Sequence, residues 1–333
     1  MTTGTKLDEV TTPKPPPRVH TATLKSGIQP CSEFAKKGLA SYAVNVGTKC
    51  GHDCTYCSTG TMLRMHPSFA KAGENPFGLG YAIVDPQTPD RVTADAEAVR
   101  LERRGLVQLC TTTDAWAPEA QRYHLGRRCL EAILSHPGWS VRILTKNAGV
   151  AEDYDLIRRY RDRVVVGISL TASPRKAGII NAVEPHASPI FERVAALRKA
   201  SKMGLRTFAM LCPLLPGIAD DLESIKELVQ IGVDVGAEEF FAEPVNARGR
   251  ALVHTVKALR QAGFSTEAAA VDKIRNRVAW SAYTVRLVSA LQRVLRRHHA
   301  LDKLRFLLYP GALTPGDALG LRRNGEGVIW LRK

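Results

Sequence analysis

From Ala40 onward the chain alternates short apolar runs with amphipathic segments, and this restricts the fold more than any other feature. The runs are Ala40–Val46, Leu106–Thr111, Val141–Thr145, Val164–Leu170, Arg206–Leu211 and Glu238–Ala242. They are rich in Val, Ile, Leu and Phe, which suits strands covered on both faces, as in a parallel sheet. Between them, Ala94–Arg104, Glu119–Ser135, Ala151–Tyr160, Pro189–Met203 and Leu222–Ile231 carry helical patterning. In the second, Leu125, Cys129, Ala132 and Ile133 share one face, and Pro137-Gly138 follow as a stop signal. Six strands alternating with helices fall short of the eight of a full barrel. A partial barrel or a doubly wound open sheet remains.

Residues 1–38 are polar, with the run Lys14-Pro15-Pro16-Pro17-Arg18, and read as a flexible N-terminal extension. Residues 39–246 form the βα core. Residues 247–333 read as a basic, mainly helical C-terminal extension, with a long helix over Ala268–His299 and a late strand at Leu304–Tyr309. The stretch Ser58–Pro89, carrying Gly60, Gly73, Pro76, Gly78, Gly80, Pro86 and Pro89, reads as one long loop. A loop of that length inside a compact domain points to function.

Of 333 residues, 44% are hydrophobic and 24% charged, which excludes wholesale disorder. No apolar run approaches the ~18–20 residues of a membrane-spanning helix, so no membrane partner is expected. The start has no apolar leader region. The seven cysteines are odd in number, so a reduced, cytoplasmic setting is expected over a disulfide framework. Lys and Arg exceed Asp and Glu by 47 to 32, a net charge of +15, which favours polyanionic partners such as nucleic acid.

Three cysteines, Cys50, Cys54 and Cys57, fall in a C-x3-C-x2-C pattern directly after the first expected strand. Strand C-terminal ends are where α/β folds place their chemistry. Three thiolates on a short loop suit an iron–sulfur centre with one iron left open, since a 4Fe–4S cluster ordinarily takes four cysteines. Structural zinc is the other reading, and it needs a fourth ligand, for which His52 is the neighbour available.

The pattern resembles that of the radical SAM superfamily, and the order of several segments resembles its spore photoproduct lyase-related, DNA repair photolyase-like group. Asn45 to Cys57 resembles the entry motif N-P-Y-R-G-C-x-H-x-C-x-Y-C, with Val46-Gly47-Thr48-Lys49 in place of much of its Pro-Tyr-Arg part. Thr113-Asp114-Ala115-Trp116-Ala117-Pro118-Glu119 resembles T-D-x-Y-x-P-x-E, and Ile143-Leu144-Thr145-Lys146-Asn147 resembles I-L-T-K-S. Pro213-Leu214-Leu215-Pro216-Gly217-Ile218 with Asp220 and Asp221 resembles P-x-x-P-G-x-N-D. The resemblance runs from about Ser41 to Gly249.

It implies an α/β fold, a partial (β/α)6 TIM-type barrel with a mainly helical C-terminal extension. It implies a 4Fe–4S cluster on Cys50, Cys54 and Cys57, and S-adenosylmethionine chelated by the open iron. Thr113 would contact its amino group, Lys146 its carboxylate and Ser169 its ribose, with Tyr56 and Asp114 completing the cofactor site. A low-potential donor of the flavodoxin or ferredoxin type would supply the electron. Reductive cleavage would give a 5′-deoxyadenosyl radical that abstracts hydrogen from the substrate. The resemblance makes that substrate DNA or another nucleic acid and the enzyme lyase-like, acting in DNA repair.

The chain departs from the lyase pattern at two places. Ser58 follows the third cluster cysteine where the lyases have tyrosine, and Thr111 stands where they have a hydrogen-donor cysteine. Cys110, one residue earlier, and Tyr56 are the candidate catalytic residues. Adjacent strand residues point to opposite faces, so Cys110 also reads as core. Arg293, Arg296 and Arg297 share a helix face that suits phosphates, and Trp280 and Tyr283 at i, i+3 suit either base stacking or core. Two alternatives stand beside the nucleic-acid reading: modification of a peptide, protein or metabolite by the same chemistry, and a non-enzymatic zinc or nucleic-acid-binding protein.

Overall fold

The computed structural model describes residues 15–25, 27–247 and 250–331. Residues 1–14 of the expected N-terminal extension lie outside the described residues. Among the described residues, twelve strands form two sheets: β1 (Arg18–Thr21), β2 (Gln29–Pro30), β3 (Tyr42–Val44), β4 (Gly47–Lys49), β5 (Tyr81–Val84), β6 (Leu106–Leu109), β7 (Ser140–Thr145), β8 (Val164–Ser169), β9 (Arg206–Leu214), β10 (Phe240–Pro244), β11 (Leu304–Leu308) and β12 (Val328–Trp330). The large sheet has the order β2-β3-β6-β7-β8-β9-β10-β11-β12. Every pair from β3 to β12 is parallel, and β2 lies antiparallel on the edge of β3.

The six expected core strands are β3 and β6 to β10. The C-terminal segment supplies the expected late strand as β11, pairs it onto β10 and adds β12 beyond it, so the sheet has eight parallel strands among the described residues where a six-stranded core was expected. At three residues, β12 is too short to announce itself by periodicity. The edges β2 and β12 are not paired with each other, so the barrel is open.

Alternation along the strands separates two cores. Val164, Val166, Ala209, Leu211, Phe240 and Ala242 face the main core beneath the helices. Val165, Phe208, Met210, Phe241 and Leu307 face inward, into a second cluster with Leu39 and Leu331. Arg142 projects into this interior, its guanidinium 4.8 Å from the Phe208 ring centre and 5.2 Å from that of Phe241. It donates to the Leu39 carbonyl at 2.9 Å and pairs with Glu239 at 3.1 Å. The same parity puts Lys146, Ser169, Cys212 and Glu243 on the inner face at the strand C-terminal ends.

The described part of the lead is structured, which corrects the expectation of a flexible extension over 1–38. Residues Arg18–Thr21 pair in parallel with β5, and helix Ser32–Lys36 runs up to Leu39, a residue of the inner core. Lys37 reaches Glu243 on β10 at 3.1 Å. Polar composition concealed this because the contacts are backbone ladder, ion pairs such as Arg18–Glu74 and Lys37–Glu243, and single apolar residues spaced far apart.

Ser58–Pro89 is also structured. It holds short helices Thr59–Met62 and Pro67–Ala72 and the strand β5, which completes a small sheet of order β1-β5-β4. The expected helix Ala94–Arg104 instead runs Thr88–Ala98, started by Pro89 in its first turn. The long C-terminal helix is divided at Asn276, whose side chain caps Arg277–Arg297 by accepting from Val278 N at 2.9 Å and Ala279 N at 3.2 Å. Trp280 and Tyr283 are buried, with Trp280 donating to the Val245 carbonyl at 2.9 Å, so these aromatics are core and not a stacking platform.

Gly167 sits in the middle of β8 against the Phe208 ring, and a Cβ there would lie 2.1 Å from a ring carbon. Gly167→Ala is expected to lower stability by about 1–3 kcal/mol in urea unfolding. Adding Phe208→Leu should recover part of that loss; no recovery would show that Gly167 matters for another reason.

Candidate functional site

The cysteine loop leaves β4 and is fastened at nearly every residue. Gly51 N donates to Glu119 Oε1 at 2.8 Å. Asp53 adopts a positive φ of 54° and accepts from Gly80 N at 2.8 Å, tying the loop to the start of β5. Thr55 N donates to the Val183 carbonyl at 2.9 Å, and Tyr56 donates its hydroxyl to Glu184. Cys50, Cys54 and Cys57 all line one cavity, closed by Thr59–Thr61, Pro76–Leu79 and Arg250, Ala251 and His254. Cys54 is buried, Cys50 half-buried and Cys57 exposed.

His52 is not free to serve as a fourth ligand. Its Nε2 meets Asp114 at 2.9 Å and its Nδ1 meets the His186 carbonyl at 3.1 Å, so both ring nitrogens are engaged. Among the described residues, no three His, Cys, Asp or Glu side chains gather as the ligands of a single ion do. A 4Fe–4S cluster takes one thiolate per iron, so its ligands stand apart around a shared cavity. The cavity walls carry Lys49 and Arg250, cations that suit an anionic cluster, and two buried polar atoms without a hydrogen-bond partner, Asp53 Oδ1 and His254 Nε2. These residues fit the cluster. Burial pushes the Cys54 thiol up to about 12 and raises Cys50 as well, so a bound metal has to displace their protons.

Asp114 works inside the protein. Its oxygens accept from His52, from Thr145 Oγ1 at 2.8 and 2.9 Å, from Lys146 N at 2.8 Å and from Trp116 N at 2.9 Å. Despite burial, the His52 partner and these donors hold its carboxyl below the usual range. The Thr113 hydroxyl accepts from Val46 N at 3.3 Å and donates to Asn45 at 3.4 Å. Asn45 Oδ1 also collects Thr111 N at 2.9 Å and Thr112 N at 2.8 Å, fixing the loop after β6.

Lys146 and Ser169 meet on the inner face, Nζ to Oγ at 2.7 Å. Ser169 donates to the Cys212 carbonyl at 2.7 Å, and Lys146 reaches the same carbonyl at 3.5 Å. Lys146 Nζ also lies 3.2 Å from Glu184 and 5.7 Å from the Tyr56 ring centre. Glu184 therefore joins Tyr56, Lys146, Arg193 and, at 2.8 Å, Thr171. One carboxylate and two cations leave this network one positive charge in excess, beside the cysteine loop. Sequence reading passed over the role of Glu184 and Arg193, although the glutamate was visible before a helix carrying an arginine.

Cys110 is placed away from the inner face. It is 3% exposed within the main core and lies near Cys129, and burial pushes its thiol up to about 12. The thiol on the inner face is Cys212, 3.8 Å from Glu243 and next to Lys146 and Ser169 through its own carbonyl. Cys212 is in phase with the inner residues Phe208 and Met210, whereas Cys110 lies just past the end of β6 and joins Leu109 in the main core.

The largely parallel sheet and the three-cysteine loop that follows β4 set the class to which the chain is compared. A model of the Radical SAM superfamily matches residues 44–229, and the chain belongs to that superfamily. It is 30% identical over 218 residues to the uncharacterised protein ORF301 of Acidianus two-tailed virus, covering 62% of this chain and 68% of that protein. It is 23% identical over 181 residues to the uncharacterised protein MJ0683 of Methanocaldococcus jannaschii, covering 54% of this chain and 63% of that one. Its fold is like that of spore photoproduct lyase. A tyrosine-to-phenylalanine variant of that enzyme aligns with TM-score 0.59 and 19% identity over 84% of this chain and 78% of that one. A cysteine-to-serine variant aligns with TM-score 0.54 and 18% identity over 73% and 66%. The chain thus spans roughly two thirds of the length of several of these relatives.

Glu184 side-chain atoms are fully buried between two cations. Glu184→Gln is expected to cost about 3–5 kcal/mol in guanidinium unfolding, because Arg193 is left buried and unpaired. The glutamate's pKa is depressed below its ordinary ~4.3, so its contribution is present above that pH and is lost only as pH falls through the lower folded value. A loss of stability already complete near pH 5 would contradict this.

Proposed function

We propose that the chain is a radical SAM enzyme that acts on nucleic acid, with a lesion-reversing, lyase-like reaction of the kind spore photoproduct lyase carries out. The observation that carries the reading is the link from Tyr56 of the cysteine loop through Glu184 to Lys146 at the strand ends. That link supports reading the cysteine loop and the Lys146 end of β7 as two sides of one site.

Cys50, Cys54 and Cys57 would hold three irons of a 4Fe–4S cluster, leaving the fourth for S-adenosylmethionine. When bound, the cluster supplies one low-potential electron for cleavage of S-adenosylmethionine to methionine and a hydrogen-abstracting 5′-deoxyadenosyl radical. Lys146 offers its ammonium to the methionyl carboxylate, exchanging its longest contact, the one at 3.5 Å to the Cys212 carbonyl. Thr113 and Ser169 offer hydroxyls to the amino group and the ribose. Tyr56, held by Glu184, fixes the loop between the two halves of the site. Asp114 positions Lys146 by accepting from its backbone N–H, and so acts on the cofactor through its neighbour. The exposed Cys57 side of the loop is the approach for a flavodoxin- or ferredoxin-type donor.

Net charge of +15 supports a polyanionic substrate. Further support comes from the fold shared with spore photoproduct lyase, one variant of which was solved with S-adenosylmethionine and dinucleoside spore photoproduct. Arg286, Arg293 and Arg297 stand exposed along the outer helix Arg277–Arg297 and add to the same field.

The test is anaerobic reconstitution with iron and sulfide, then dithionite and S-adenosylmethionine. The unaltered chain should release 5′-deoxyadenosine. Cys57→Ala should lose both the release and the iron, while Lys146→Met should keep the iron and weaken S-adenosylmethionine binding by tenfold or more, on the order of 1.4 kcal/mol. Iron-free protein with zinc bound at the cysteines would overturn the proposal.

A further inference from the structure

A second cavity, of about 1220 Å³, opens beside the cysteine loop. Its walls come from residues 19–25 of the lead, from Asn45, Gly47 and Thr48, from Thr112, and from Leu63, His66 and Lys71 of the segment after the cysteines. Drug-sized ligands occupy roughly 300–1,000 Å³, so this space suits part of a longer chain. Asn45 and Thr112 mark its floor as the strand ends of β3 and β6, where the reacting atoms have to meet.

The wall is basic. Lys25 and Lys71 line it beside the imidazoles of His66 and of His20, the latter 2.9 Å from Glu74, and the lining acid, Asp85, is occupied by Leu24 N at 2.6 Å and by Arg91. Burial and then the ammonium of Lys25 hold His66 below its usual pKa, which puts that lysine close to the imidazole.

The segment between the two cavities carries the largest exposed apolar side chains of this region. Helix Thr59–Met62 begins two residues after Cys57, and Thr59 anchors it by donating to the Thr112 carbonyl at 3.0 Å. From this anchor Met62 stands 57% exposed and Met65 85% exposed, with exposed Arg64 between them. Held together on a short anchored turn, the two methionines form an apolar point whose burial against a partner would favour binding by about 1.5–3 kcal/mol each. Beside cations and a cavity too large for a small molecule, the partner they fit is polyanionic with stacked apolar faces.

We infer that the Met62–Met65 turn is a wedge that enters the base stack of a nucleic-acid strand, while Lys25 and Lys71 hold its phosphates along the second cavity. Resting on the nucleic-acid reading above, the inference adds where the strand runs and what opens it. Methionine is among the side chains that proteins insert between base steps, and unstacking is what gives an enzyme access to a base.

Binding of a fluorescein-labelled 20-mer duplex to the full chain is followed by anisotropy across salt, and unstacking by 2-aminopurine placed in the same duplex. Lys25→Gln with Lys71→Gln should lower the slope of log affinity against log salt by about 1.8, two phosphate contacts' worth. Met62→Ser with Met65→Ser should keep that slope and lose the rise in 2-aminopurine fluorescence, and Met62→Leu with Met65→Leu should restore the rise. Variants that match the unaltered chain in slope and fluorescence overturn the inference. So does a reconstituted unaltered chain that releases 5′-deoxyadenosine but shows no salt-dependent binding, an outcome that leaves the radical SAM reading standing. Failure of the unaltered chain to release 5′-deoxyadenosine counts against that reading alone.

Discussion

The site depends on one buried carboxylate. Glu184 holds the Tyr56 hydroxyl, the Lys146 ammonium and the Arg193 guanidinium at once. Three separate pieces of chain, the cysteine loop, the end of β7 and the helix after β8, are thereby fixed to one point. Arg193 also donates to the Ser169 and Ser188 carbonyls at 3.1 and 2.7 Å, so the cation that balances Glu184 organises the end of β8 as well. A neutral residue at 184 would leave two cations without an anion, and one at 193 would leave the carboxylate with Lys146 as its one cation. The charges are arranged so that the remaining positive potential falls at Lys146, the member of the network nearest solvent.

Much of this architecture was legible because burial on both faces leaves a plain signature. The six apolar runs are the six central strands, and the cysteine spacing with its strand-end position marked the site. What escaped notice followed from short elements and long-range contacts. Strand β12 has three residues, β2 two, and the helix Ser32–Lys36 five, all below the length at which a period can be read. Glu184 stood out in sequence only by its place before a helix carrying Arg193, and its role shows only when the fold brings it to Tyr56, 128 positions earlier in the chain. Sequence position favoured Cys110, one residue before Thr111, yet Cys212 is the thiol on the inner face. The cavity side of a strand end is decided by phase, and phase is reliable only once the inner core residues, such as Phe208 and Met210, are known.

The open barrel explains why the described part of the lead packs on it. Eight parallel strands that do not close leave an edge at β12 and another at β2, and an uncovered edge invites pairing with other chains. The lead supplies β2 for one edge, then sends Phe34 and Leu39 into the inner core beside Tyr309, Ile329 and Leu331 of the other. Lys37 completes the closure with Glu243 and lies 5.9 Å from the Tyr309 ring centre. The gap is thus filled by side chains and not by a strand ladder.

This division has a consequence for the substrate. A ladder-closed barrel admits ligands only through its mouth, whereas a side-chain closure keeps the backbone path of the lead available for another purpose. Here the lead uses it to build a wall: residues 19–25 leave β1, line the large cavity and return to the sheet at β2. The same stretch of chain therefore protects the barrel edge and shapes the approach to the strand ends. A change that loosens Lys37 from Glu243 alters the barrel closure, while one at Lys25 alters only the cavity, although the two lysines lie in one short segment.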